Sequence, residues 1–137
     1  MTAITTVRVR YGETDQMQVV YHAEYLAYFE MGRTEFIRDL GLPYAEMERR
    51  GVMLAVAEAS LRYHAAARYD DLLRIETRLT KSGSRGVSFS YLIANADTGK
   101  RLVTGHTDLV SLDAAGKPAP MPADIRALLQ GATEGDA

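Results

Sequence analysis

The chain has 137 residues, 47% of them hydrophobic and 25% charged, with a formal net charge of −2 and no cysteine. That length suits one domain with one substantial core, and no apolar run reaches the roughly 20 residues that cross a bilayer. The charge argues against a general nucleic-acid binder, and the lack of cysteine removes disulfides, cysteine-ligated zinc and thiol nucleophiles. MTAITTVRVR at the N-terminus lacks the continuous apolar block of a secretory signal, so the expectation is a cytoplasmic protein without membrane insertion.

In chain order, Val7 and Val9 alternate with Arg8 and Arg10, the period of a half-buried strand, predicted over residues 4–11. Gly12-Glu13-Thr14-Asp15 is turn chemistry, since glycine relaxes φ and the Thr and Asp side chains compete for backbone hydrogen bonds. From Ala23 the residues Leu26, Phe29, Phe36 and Leu40 recur at helical spacing, with Glu24, Glu30, Arg33, Glu35 and Arg38 mostly on other faces, which predicts one long helix. Gly41 is placed to cap it and Pro43 forbids its continuation. A helical turn at Tyr44–Arg50 precedes four predicted strands, Val52–Tyr63, Leu72–Lys81, Gly86–Ala96 and Arg101–Leu112. Ser82-Gly83-Ser84 and Asp97-Thr98-Gly99 join the later strands as turns, which makes consecutive strands antiparallel. Pro122–Leu129 reads as a short amphipathic helix, closing a domain of residues 1–130, and 131–137 as a disordered tail. The order is α+β, with an antiparallel sheet needed to cover one long apolar helix.

No phosphate loop, HExxH pair or GxSxG elbow is present. His22, His64 and His106 share no metal-ligand spacing, so no metal is expected. The start of the long helix, at Tyr21, His22 and Ala23, presents unpaired N–H groups suited to an anion or a developing oxyanion. If the loop from Gly12 to Val20 folds back, Asp15 faces that point, and a carboxylate confronting a polarised carbonyl is the arrangement acyl transfer to water requires. The ordinary reading of Asp15 is a turn residue holding its own backbone, and that of His22 a polar helix end.

The run RYGETDQMQVVYHAEYLAYFEMGRTEF, Arg10–Phe36, and the segment ARYDDLLRIET, Ala67–Thr77, resemble the 4-hydroxybenzoyl-CoA thioesterase family and its Tol–Pal-associated acyl-CoA thioesterase relatives, and the resemblance extends to about Leu129. It implies a hotdog fold, a long helix wrapped by an antiparallel sheet. It makes Asp15 the catalytic carboxylate, as nucleophile or as base for water, with Tyr11 and His22 assisting. In the hydroxybenzoyl branch the His22 position is a tyrosine whose main-chain N–H polarises the carbonyl. Tyr21 and Ala23 then contact substrate beside it.

Where that family often carries Ala-Gly or Gly-Gly after the aspartate, this chain has Gln16-Met17-Gln18, which changes the bulk beside the acyl group. Lys81 and Arg85, flanking the Ser82–Ser84 turn, match a region of nucleotide contacts. Met17, Met31, Met47 and Met53 are candidates for an adaptable acyl pocket. The resemblance implies an acyl-CoA substrate, no separate cofactor, and a homo-oligomer, either a dimer or a dimer of dimers. Two other readings remain at this point: an acyl-CoA or acyl-carrier binding module without turnover, and a hydratase using His22 with Glu30 or Glu35. Gly32, inside the long helix, implies a close approach by another element.

Overall fold

The computed structural model describes residues 1–134. Strand β1 (Thr2–Arg8) leads into a single 3-10 turn at Tyr11–Glu13, then helix α1 (Glu24–Asp39) and the short helix α2 (Tyr44–Arg49). Strands β2 (Met53–Tyr63), β3 (Leu72–Ser82), β4 (Gly86–Asn95) and β5 (Arg101–Leu112) follow, and α3 (Ala123–Gly131) comes last. The strands form one antiparallel sheet in the order β1-β3-β4-β5-β2. The α+β layout with a helix wrapped by the sheet is the arrangement expected from the sequence, and β1 and β2 are its edges.

The departures have local causes. The first strand stops before residue 11 because the Arg10 N–H turns to the Glu13 side chain at 2.7 Å instead of a strand partner. Helix α1 ends as Gly41 predicts: Gly41 takes φ +86°, its N–H reaches the Arg38 carbonyl at 2.8 Å and the Leu42 N–H reaches that of Ile37 at 3.3 Å. That is a Schellman closure, sealed by the buried Leu42 and Ile37. The Asn95–Gly99 hairpin is held by the Asn95 side chain, which accepts from the Asp97 and Thr98 N–H groups, with Gly99 at φ +75°. The first residues of the tail expected from Gly131 are packed on the domain. Gly131 ends α3, Ala132 is buried, and the Glu134 N–H donates to the Leu79 carbonyl at 2.8 Å. Residues 135–137 of that expected tail lie outside the described residues.

Helix α1 buries Tyr25, Tyr28, Phe29, Phe36 and Ile37 against the sheet's inner face, where Leu73, Ile75, Phe89, Tyr91, Ile93 and Val103 alternate inward. Phe29 stacks on Tyr91 at 4.2 Å between ring centroids and Phe36 meets Phe89 edge-on at 5.6 Å. Two positions differ from the helical pattern read in the sequence: Leu26 is exposed, and Arg33 is buried with its guanidinium beside the Tyr44 and Tyr91 hydroxyls.

The close approach implied by Gly32 is to the chain's own sheet. A β-carbon there would collide with Thr77 Oγ1 and come within 2.9 Å of Ile75 Cγ2. Gly105 does the same from the strand side, because a β-carbon on it would meet the Phe29 ring and lie 2.9 Å from the Ser60 carbonyl. Gly32→Ala should therefore lower unfolding free energy by about 1–3 kcal/mol, the usual range for overpacking, even though alanine favours the helix. Denaturant unfolding measures this, and a mass unchanged in light scattering would separate it from an effect on assembly.

Candidate active site

The loop between β1 and α1 is an irregular segment pinned at both ends. Glu13, buried despite its charge, accepts from the Arg10 N–H at 2.7 Å and from the Tyr28 hydroxyl at 3.2 Å, and lies 3.6 Å from the Arg10 guanidinium. Its main-chain carbonyl takes the Tyr21 N–H at 2.9 Å. One residue thus ties the loop's beginning, its end and the second turn of α1 together. Burial, with the Glu13 charge beside it, pushes the Tyr28 hydroxyl well above the ordinary tyrosine range, so it stays protonated and a donor. Val20 adds a second tie, its N–H donating to the Ala67 carbonyl at 2.8 Å.

Asp15 sits at the tip of this loop. Its N–H donates to the Val19 carbonyl, its carbonyl accepts from the Gln18 N–H, and its Oδ1 accepts from the Met17 N–H at 2.8 Å. The turn forces Gln18 to φ +66°, a left-handed conformation that a non-glycine residue adopts at a cost of order 1 kcal/mol. Asp15 therefore makes the backbone bonds of an ordinary turn residue. Only Oδ1 is engaged in them, however, and the carboxylate lines a cavity of about 310 Å³ together with Met17, Val20, His22, Tyr25 and Tyr63.

At the mouth of α1 the N–H groups of His22 and Ala23 have no hydrogen-bond acceptor among the described residues. The His22 carbonyl is held by the Tyr63 hydroxyl at 3.0 Å, and the His22 and Tyr25 rings lie edge-on to the Tyr63 ring at 6.4 and 5.7 Å. The fold thus brings a half-buried carboxylate and His22, whose main-chain N–H is free, to one cavity, with the free Ala23 N–H next along the chain. The remaining walls come from Val19 and from His64, Ala65 and Ala66, just past the end of β2. His64 Nε2 is 2.9 Å from Thr104 Oγ1, and its N–H donates to the Leu102 carbonyl.

Other candidates lie elsewhere. Tyr11 is 77% exposed, edge-on to Tyr69, and is not part of the cavity lining. Tyr21 contributes its ring against His22 at 4.5 Å, its N–H being spent on Glu13. Lys81 and Arg85 flank the β3–β4 turn, whose neighbour across the sheet is Val110, whereas Tyr63 at the cavity pairs with Val103. That is the opposite end of the sheet. Met47 is core and Met31 and Met53 are surface residues, which leaves Met17 as the methionine in the lining. Glu35 is paired with Arg38, and neither Glu30 nor Glu35 lines the cavity with His22. His106 is bound to Asp108 at 2.8 Å on the sheet's outer face.

A model of the thioesterase-like superfamily matches residues 9–129. The chain belongs to that family. It is 38% identical over 89 residues to the putative acyl-CoA thioesterase YneP of Bacillus subtilis, a match covering 65% of this chain and 64% of that protein. It is 32% identical over 122 residues to the acyl-CoA thioesterase YbgC of Haemophilus influenzae, covering 88% and 89% of the two chains. The crystal structure of the hypothetical protein TT1821 from Thermus thermophilus superposes with a TM-score of 0.92 at 36% identity, over 98% of this chain and 99% of that one. Both the family and the hotdog fold inferred from the Arg10–Phe36 run stand.

His64 carries a testable electrostatic signature. Desolvation and the positive charges of Arg101 and Arg62 hold its pKa below the ordinary 6.5. All three disfavour the imidazolium, so His64 should stay neutral to a lower pH than an unperturbed histidine. Titration of its imidazole resonance by NMR should give a midpoint below 6.5, and Arg101→Gln should move that midpoint upward.

Proposed function

We propose that the protein hydrolyses the thioester of an acyl-CoA, with Asp15 as the reacting carboxylate and the His22 and Ala23 N–H groups as the donors to the thioester oxygen. The observation that carries this reading is that Asp15 and His22, whose main-chain N–H is unsatisfied, line one cavity, with the unsatisfied Ala23 N–H next along the chain. As base, Asp15 takes a proton from water while the water oxygen bonds to the carbonyl carbon. The oxygen that becomes negative is met by donors already in place, and electrostatic preorganisation of that kind is commonly the largest catalytic term. Collapse re-forms the carbonyl, breaks the carbon–sulfur bond, and releases the acid and a thiol that carries the proton. As nucleophile, Asp15 would itself bond to the carbonyl carbon, expelling the thiolate, and water would then cleave the resulting anhydride, restoring the Asp15 carboxylate and supplying the proton that the thiolate takes up. The engagement of Oδ1 by the Met17 N–H leaves Oδ2 for either role.

His22 acts through its main chain in this scheme, held in place by the Tyr63 hydroxyl. The reading needs no metal or organic cofactor and expects a cytoplasmic protein. Among the described residues no helix is long and apolar enough to cross a membrane.

Asp15→Asn keeps the shape and the turn-making ability of the side chain while removing its charge. Turnover of acyl-CoA, followed by release of free thiol, should fall at least about a hundredfold while acyl-CoA still binds. His22→Ala should cost less, because the main-chain N–H survives. A folded Asp15→Asn protein that keeps most of its rate would end the mechanism. Saturable binding with no turnover by the wild type, across short, medium, long and aromatic acyl chains, would instead make this a binding module.

The same reading assigns a homodimer as the minimum assembly, the whole being either that dimer or a dimer of dimers. Strand β2 is a sheet edge eleven residues long, and it exposes Val56 and Tyr63. Leu26 and Met31 are exposed on α1. A long apolar edge strand is a template for pairing with another chain. Val56→Lys should weaken the dimer, read as a lower mass by light scattering at micromolar concentration, and a wild-type monomer under those conditions would contradict the assignment.

A further inference from the structure

The sheet's outer face, turned away from α1, carries a recess of about 560 Å³, a volume in the range of small-molecule sites. Strand alternation puts Glu76 and Arg78 of β3, Ser90 and Leu92 of β4, and Thr104 of β5 around it, and Arg101 lines it at the start of β5. Cross-strand pairing sets Arg78 opposite Ser90, and Leu92 between Glu76 and Thr104.

The charges in this recess do not balance. Glu76 is already paired with Arg74. Glu134, whose carboxylate feels Arg78, is held by the N-terminal amine at 2.6 Å and by Thr2. Neither Arg78 nor Arg101 has a carboxylate within 4.0 Å among the described residues, and neither does Arg62 on the adjoining strand. Guanidinium groups left free on either side of Leu92, the one apolar side chain that strand alternation turns into the recess, suit a phosphorylated ring system, because each can take phosphate oxygens through a charged hydrogen-bonding fork.

The recess also adjoins the catalytic cavity. Thr104 Oγ1, in the wall of the recess, is the group 2.9 Å from His64 Nε2, and His64 is in the wall of the Asp15 cavity. Arg62 pairs across the sheet with Thr104, and the fields of Arg62 and Arg101 reach His64. Lys81 and Arg85 have no such connection within the chain, being at the far end of β3 and β4.

Resting on the thioesterase reading above, we propose that this recess binds the nucleotide end of the coenzyme A thioester. Arg78 and Arg101 hold its phosphates, Leu92 lies under the adenine, and the pantetheine arm passes the His64–Thr104 contact to reach Asp15.

The test separates the nucleotide from the thioester. In the Arg78→Gln/Arg101→Gln double variant, KM for an acyl-CoA should rise about tenfold or more, the loss expected from removing charge-assisted hydrogen bonds. Its kcat should be unchanged. Neither constant should change for the same acyl group on N-acetylcysteamine, which has the thioester but no nucleotide. Calorimetry with 3′-phosphoadenosine 5′-diphosphate should show binding to the wild type and about tenfold weaker binding to the double variant. An unchanged KM for acyl-CoA would overturn the proposal. So would an equal effect on both substrates, or a KM rise confined to Lys81→Ala/Arg85→Ala. A wild type that hydrolyses neither substrate would sink the thioesterase reading, and the calorimetric comparison alone would then decide the nucleotide site.

Discussion

The cavity depends on a carboxylate that has no place in the proposed chemistry. Glu13 draws in the Arg10 N–H, the Tyr28 hydroxyl and, through its carbonyl, the Tyr21 N–H. Burying a charged group is costly unless each lone pair finds a donor, and a half-satisfied network would be worse than an apolar one. Here the carboxylate takes one donor from the start of the loop and one from α1, and the Glu13 carbonyl takes the third from the loop's end. The arrangement is strongly favoured only when all three are in position, and in that position Asp15 faces the helix mouth. A loop of turn-forming residues with no ladder of its own thereby acquires one conformation.

The other half of the geometry is the depth at which α1 lies on the sheet. With no β-carbon at Gly32 or Gly105, the helix backbone approaches Thr77 and Ile75, and the Phe29 ring approaches β5 closely enough to stack on Tyr91. Both contacts fix where Tyr25 lies, one turn before Phe29, and so where the cavity wall formed by Tyr25 and Tyr63 stands. The close helix–sheet contact leaves Thr77 Oγ1 buried without a hydrogen-bond partner, which carries a desolvation cost of order 1–3 kcal/mol.

Much of this was legible because it is local. The hairpin at Asn95–Gly99, the stop at Gly41 and the strands themselves follow from turn chemistry and alternation within a few residues. Asp15 and His22 were legible for the same reason, being seven positions apart in one motif. What the sequence hid is what the topology joins. Tyr63, His64, Ala65 and Ala66 reach the Asp15 cavity from the far end of β2, and no spacing rule links residue 15 to residue 64. Nothing local marks Glu13, because an acid in an acidic turn looks solvated and its burial appears only once Tyr28 is beside it. Lys81 and Arg85 fail to join the site within the chain for an equally topological reason: an antiparallel sheet sends alternate turns to opposite ends.

The turn after Asp15 shows how a fixed scaffold allows the wall of the cavity to vary. Its hydrogen bonds run through main-chain atoms and the Asp15 side chain, so they place no demand on the side chains at 16, 17 and 18. The backbone demand is for a left-handed residue at 18, which glycine would meet without strain and which Gln18 meets at φ +66°. The strain is tolerated because the Val19 and Asp15 bonds and the Val20–Ala67 tie over-determine the turn. Met17, freed from any backbone task except donating its N–H to Asp15, can place its side chain in the cavity. A flexible thioether in the same lining as the paired tyrosines at 25 and 63 gives the cavity one adaptable side chain beside rigid ones. The side chain at 17 can therefore change the shape of the cavity without disturbing the bonds that hold the carboxylate beside it.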